Sequence, residues 1–462
     1  MSKIYRTLDV AGPEELVFGR APRPVRCGLD LVIGAGVVFP EVNFTLPAIE
    51  VNSQNWPAIV EHYHEMADNI LKRAVALAAP GIILEFELLP PMTENPEWGA
   101  ELTALLHGHL LDAREKSGLR SALRVTPTDI REQGKPPLLR SGAPWAQLQR
   151  SFERCIQEGA DIVSIESIGG KEVHDPALMY GDLQAMVFAL GVLAPRDMRW
   201  LWREIDGLCA AAGGTAVPGG DSACGFANTA MQLAHQKMLP EVLAAVVRAM
   251  SAVRSLVAFE NGAVGPSKDC AYEGPVIKAI TGCSISMEGK SASCAHFSPI
   301  GNIASAMCDL WSNESVQNVR LLSGSAPEAF TELLVYDCRL MNAATAKGQA
   351  IVLRDCMVES DEWLSPQAAV LSPAATCRIA RAIVEAEGDY RRTVAAGQSA
   401  VSILSEGLAE GKLRLSAKER QWLERIEREL SEMPESEEEL LSSIVAAGSY
   451  RFDPASYGMD LG

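Results

Sequence analysis

With 462 residues and 48% hydrophobic content, the chain can bury a large core and is too long for one small compact domain. A formal net charge of -18 argues against a nucleic-acid-binding face and against an anionic membrane surface. Eleven cysteines, an odd number at irregular spacings, fit reduced thiols in a cytoplasmic enzyme better than a disulfide framework.

The N-terminal residues Met1–Arg6 carry no apolar core of a secretory leader. No uninterrupted apolar run reaches the roughly 18 residues that would span a bilayer, so no membrane segment is expected. Residues 1–27 lack periodicity and read as an N-terminal extension. From Gly28 onward, short apolar runs alternate with longer helical stretches, the pattern of βα units feeding a parallel sheet. Strands are predicted at Leu29–Ile33, Gly81–Leu88, Ser121–Thr126, Asp161–Glu166, Gly214–Val217, Ser255–Phe259, Ser284–Glu288 and Val319–Leu322. Helices are predicted between them, among them Trp56–Ala78, Pro144–Gln157, Pro176–Leu193, Ala227–His235 and Pro240–Arg254. Such a series predicts a (βα)8 TIM-type barrel over residues 28–345. An open doubly wound sheet is the alternative, but no G-x-G-x-x-G opens the first helix to support a dinucleotide site.

Past about residue 345 the strand signal stops, leaving residues 346–462 as a C-terminal helical region. Ser365-Pro366 and Ser372-Pro373 have the form of an N-cap followed by an N1 proline, and Ser416–Glu419 forms a capping box. This region covers the barrel or builds the expected homo-oligomer.

Three successive predicted strand ends deliver one carboxylate and two thiols. Glu166 ends the strand of Ala160–Gly170 (ADIVSIESIGG). Cys224 ends Gly214–Cys224 (GTAVPGGDSAC), and Cys270 ends Phe259–Cys270 (FENGAVGPSKDC). In a parallel barrel the loops after the strands open on one face, and neighbouring strands lie about 4.8 Å apart, so the three groups can meet one ion. Two thiolates, one carboxylate and an open fourth position describe a catalytic zinc (Zn2+) site, and sulfur disfavours magnesium or calcium. Taken singly, each cysteine is better explained as an ordinary buried thiol, the reading that suits Cys155, Cys209, Cys308 and Cys377.

Other polar residues are expected near the same mouth. Glu85 and Glu87 alternate with Leu84, Phe86 and Leu88 and so face the barrel interior. Glu87, nearer the carboxyl end, is the candidate proton donor, with an interior ion pair to Arg124 as the alternative. Glu41 and Asn43, after the first strand, line the pocket. Asp221 either orients a metal ligand or caps the next helix. Glu288 and Lys290 form a further interior pair, and His296 is the one histidine placed near the pocket.

Three blocks carry a family likeness: Gly28–Phe44 (GLDLVIGAGVVFPEVNF), Gly219–Met231 (GGDSACGFANTAM) and Phe259–Pro275 (FENGAVGPSKDCAYEGP). They resemble the zinc-bearing subunit of methanol:corrinoid methyltransferases, and the likeness runs from about residue 15 into the C-terminal region. The resemblance implies a TIM-type barrel with one zinc per chain on Glu166, Cys224 and Cys270. It also implies transfer of the methyl group of methanol to Co(I) of a cobalamin carried by a partner corrinoid protein docked at the barrel mouth. No D-x-H-x-x-G motif is present, so the cobalamin is expected from that partner. Two other functions compete: the same chemistry on a methoxylated or methylamine-type donor, and a zinc-stabilised scaffold without catalysis.

Overall fold

The computed structural model describes residues 3–44, 49–134, 136–268, 271–288, 300–315, 320–321 and 324–460. Its first strands, β1 (Arg20–Cys27) and β2 (Leu31–Ala35), form an antiparallel hairpin in which Val25 faces Ile33 and Cys27 faces Leu31. Gly28 and Asp30 both turn at positive φ, 54° and 65°. A side chain at Gly28 would also meet the Ser121 carbonyl at 2.4 Å, so only glycine fits there. Leu29 and Ser121 exchange backbone hydrogen bonds of 2.7 and 3.3 Å, which fasten the hairpin tip to the central sheet. Cys27, Leu31 and Ile33 from the hairpin form a small core with Phe39, Ile83, Ala122, Ile162 and Leu310.

That arrangement corrects two expectations. Part of the N-terminal extension is a strand, and Leu29–Ile33 is not the first stave of the sheet. The first stave is β3 (Phe39–Phe44), which the chain enters after the hairpin has turned back. Alternating apolar residues suit either location, and only the Gly28–Asp30 turn distinguishes them.

The central sheet has seven parallel strands. The remaining six are β4 (Ile82–Leu88), β5 (Ser121–Pro127), β6 (Ile162–Ile165), β7 (Val217–Asp221), β8 (Ser286–Glu288) and β9 (Leu310–Ser315). Their order is β7-β6-β5-β4-β3-β9-β8. Residues 263–268 run between its two edges. Val264 N–H donates to the Pro218 carbonyl (2.9 Å), Ser267 N–H donates to the Ser284 carbonyl (3.1 Å), and Ser267 pairs in parallel with Ile285.

The helices α1 (Trp56–Ala76), α2 (Pro96–Ser117), α3 (Gly142–Gln157), α4 (Lys171–Tyr180) and α5 (Ala194–Ala211) lie between successive strands. Of these, α1 and α3 fall where the apolar periodicity predicts them, whereas the helix expected at Pro176–Leu193 is interrupted at Gly181–Asp182. The main correction concerns α6, which runs from Glu241 to Glu260 and contains the predicted strand Ser255–Phe259. Every residue from Val242 to Glu260 is buried, so the helix has no polar face and its apolar run mimics a buried strand. It stops at Asn261–Gly262, where Gly262 adopts φ 117° and a side chain would strike Asp206. By length and composition α6 could cross a membrane, the one such helix among the described residues, but the whole apolar window is buried inside the protein.

The predicted strand at 319–322 is also displaced. Val319 and Leu322 lie outside the described residues, while Arg320–Leu321 pairs with Gly324–Ser325 in a separate ladder. The sheet strand in this part of the chain is β9, seated beside β3. Beyond α7 (Gly274–Thr281) and α8 (Ala326–Ala346), the chain runs through further helices up to Ala447. Within that stretch α9 (Gly388–Ala409) packs along α6 and completes its burial.

Candidate active site

Glu166 is the residue after β6, and Cys224 lies three residues beyond β7, opening a single helical turn over Cys224–Asn228. β6 and β7 are paired neighbours with Ile165 opposite Asp221, so both residues leave the sheet at its carboxyl edge on adjacent strands. The Glu166 side chain is 32% exposed. Cys224 is half-buried and Cys356 is exposed, whereas Cys27, Cys155, Cys209, Cys283, Cys308, Cys338 and Cys377 are buried. Burial pushes the Cys155 and Cys209 thiols up to about 12 and the Cys377 thiol up to about 11, which keeps them protonated and inert. Asn228 donates to Cys224 Sγ at 3.6 Å.

The third expected ligand, Cys270, lies outside the described residues, as do Lys290 and His296. Among the described residues no three His, Cys, Asp or Glu side chains group as metal ligands. A carboxylate and a thiol, both partly open at adjacent strand tips, have the donor chemistry that suits a borderline cation such as zinc.

Behind these tips the interior holds several buried charge clusters, two of which lie next to the strand ends described above. In the deeper one, Arg124 on β5 donates to Glu41 on β3 (2.7 Å), Ser164 on β6 (2.8 Å) and the Pro266 carbonyl (3.0 Å). Ser286 on β8 also donates to Glu41. Glu41 therefore sits within β3 rather than after it, is fully buried, and is the carboxylate that pairs with Arg124 in place of Glu87.

The second cluster lies nearer the mouth and centres on Lys268, a residue to which sequence reasoning gave no role. Its ammonium is 2.5 Å from Glu85, 2.6 Å from Glu87 and 3.8 Å from Glu166. Asn43 on β3 donates to Glu87 (3.3 Å), and Thr126 donates to Glu85 (3.2 Å). Glu85 is fully buried, whereas the Glu87 side chain is 29% exposed. The signal was available: two inward glutamates on one strand need a buried cation, and Lys268 precedes Cys270 by two residues.

Asp221 belongs to a third network. Its carboxylate accepts from Arg254 of α6 (3.0 Å), Trp202 of α5 (3.1 Å) and the Ser167 N–H (3.2 Å). Burial raises its pKa while Arg254 pulls it down. Asp221 thus fastens the backbone one residue past Glu166. Glu288 is buried and accepts from the Tyr272 hydroxyl at 3.4 Å.

Polar groups gather at the carboxyl edge of the parallel βα sheet, with an ammonium–carboxylate cluster beneath, the place where enzymes built on such sheets carry their chemistry. Comparison with known proteins narrows this. The chain belongs to the methanol-cobalamin methyltransferase B subunit family, which it matches over residues 2–458, and it is a methyltransferase. It is 37% identical over 465 residues to the methanol–corrinoid protein co-methyltransferase of Methanosarcina barkeri (strain Fusaro / DSM 804), covering 99% of each chain. It is also similar to a chain in the crystal structure of the methanol:cobalamin methyltransferase complex MtaBC from Methanosarcina barkeri. There the TM-score is 0.94 and the identity 36%, with 99% of this chain and 100% of that one covered.

Proposed function

We propose that this chain takes the methyl group of methanol and passes it to the cobalt of a cobalamin held by a separate corrinoid protein, which docks over the strand tips. The sheet closes through residues 263–268 into an eight-staved barrel, a reading supported by the hydrogen bonds of Val264 and Ser267 to its two edges. Glu166, Cys224 and Cys270 would together hold a zinc ion. The observation that carries this reading is the placement of Glu166 and Cys224, partly open side chains on the tips of adjacent strands.

When bound, zinc supplies a Lewis acid to the alcohol oxygen, whose departure as hydroxide is otherwise prohibitive. The protein's own residues do the rest. Glu87 is the accessible carboxylate of the β4 pair and, with the Lys268 ammonium 2.6 Å away as the proton source, is placed to relay a proton to the departing oxygen. Lys268 and Asn43 fix its orientation through their hydrogen bonds. Asp221 and Arg254 hold the Ser167 backbone next to Glu166, so the Glu166 carboxylate would bind the metal without reorganisation. Glu41, locked to Arg124, braces the interior below.

The test is methylation of free cob(I)alamin by the zinc-loaded protein, with methanol and with a methoxylated aromatic offered separately. Turnover with methanol alone supports the proposal. Turnover with the aromatic alone moves the substrate to the other donor class, and zinc binding without turnover on either leaves the scaffold reading.

A further inference from the structure

We infer that Glu273 is a positioning residue which ties the two cysteine-bearing segments together and thereby sets the zinc affinity of the site. The inference rests on the proposed metal site and extends it to a residue that is not itself a ligand. Glu273 is buried, at 3% exposure, and lies three residues past Cys270 in the chain. Its Oε1 accepts the N–H of Ala223 at 2.8 Å, and Ala223 is the residue immediately before Cys224. The same oxygen accepts the Ser255 hydroxyl of α6 at 2.8 Å. One carboxylate oxygen thus joins the backbone that leads into Cys224, the segment that follows Cys270, and the buried helix behind both.

Neighbouring contacts give this clasp a rigid base. Arg248, also on α6, donates to the Ala271 carbonyl, and its guanidinium lies 5.2 Å from the Tyr272 ring centroid. Arg248 further donates to Gln367 of the C-terminal helical region at 2.9 Å. Tyr272 adopts φ 59°, a left-handed conformation unusual for a tyrosine, which the contacts on either side hold in place. The turn over Ala271–Glu273 is therefore fixed by α6 from two points, Arg248 and Ser255. Because α6 continues through residues 255–259 as a helix, Ser255 can face Glu273. Groups that orient metal ligands typically change metal affinity by about 10–100-fold when removed.

The experiment compares zinc affinity, by competition with a chromophoric chelator, in the wild type, Glu273→Gln, Glu273→Ala and Ser255→Ala. Glutamine keeps an oxygen for the Ala223 N–H, so Glu273→Gln should bind zinc within about threefold of wild type. Glu273→Ala should bind about 10–100-fold more weakly at unchanged helical content. Should Glu273→Ala fail to fold, Ser255→Ala takes its place, with a loss of about threefold to tenfold expected. Wild-type zinc affinity in the folded alanine variant, or an equal loss in Glu273→Gln, overturns the inference. Absence of zinc binding by the wild type would instead overturn the metal site on which it rests.

Discussion

The ammonium of Lys268 offers the sharpest stability test of the interior charge arrangement. Lys268→Met keeps the length and the apolar stem but removes the charge that faces Glu85 at 2.5 Å and Glu87 at 2.6 Å. Lys268 and Glu85 are fully buried, so the variant leaves at least one carboxylate in the interior without its cation. Removing one partner of a buried pair typically costs about 3–5 kcal/mol, because the remaining charge keeps its desolvation cost and loses its compensation. The cost should appear in equilibrium urea unfolding of metal-free protein as a lower midpoint at an unchanged m value. Adding Glu85→Gln removes the stranded charge and should restore about half or more of the loss. A Lys268→Met variant less than about 1 kcal/mol below wild type, or a double variant weaker than the single one, would refute the reasoning.

The Asp161 carboxyl, before β6 at the opposite end of the strand from Glu166, is raised from 3.8 to about 6, chiefly by burial and against the hydrogen bond from the Leu123 N–H. The folded state therefore binds the proton more tightly than the unfolded chain, and stability should fall as pH rises from about 4 to about 6. Asp161→Asn, which keeps an acceptor for Leu123, should raise stability by up to about 3 kcal/mol at pH 7.5 and hardly at all at pH 3.5. An equal effect at both pH values in urea titrations would contradict the assignment. For Glu87→Gln, methyl transfer should drop by about 10²-fold or more while zinc content stays at the wild-type level, as metal analysis beside the cobalamin assay would show.

Strand ends were the legible part of this chain. Glu166 was readable because a short apolar run leads straight to it, and Cys224 because a glycine-rich loop follows such a run. Inward-facing Glu85 and Glu87 followed from the alternation of polar and apolar residues over Leu84–Leu88 within β4. The pairing partners were not legible. Arg124 binds Glu41 rather than Glu87 because β3, unrecognised as a stave, places Glu41 within its reach. The missed strand β3 and the reading of Ser255–Phe259 as a strand have different causes. In β3 the alternation of Glu41 and Asn43 with Val42 and Phe44 is obscured by Pro40, which argues against a strand, whereas α6 is buried on every side and carries no period that separates helix from strand. Lys268 escaped notice because a lone lysine in a loop reads as solvent-exposed, whereas here it is buried against the glutamates of β4.

The most direct measurement is X-ray absorption at the zinc edge on the purified, chelator-washed protein, for the wild type and for Cys224→Ser. The account predicts about one zinc per chain with two sulfur ligands near 2.3 Å, falling to one sulfur in the variant. Zinc bound only by oxygen and nitrogen, or the same sulfur count in the two proteins, would contradict it.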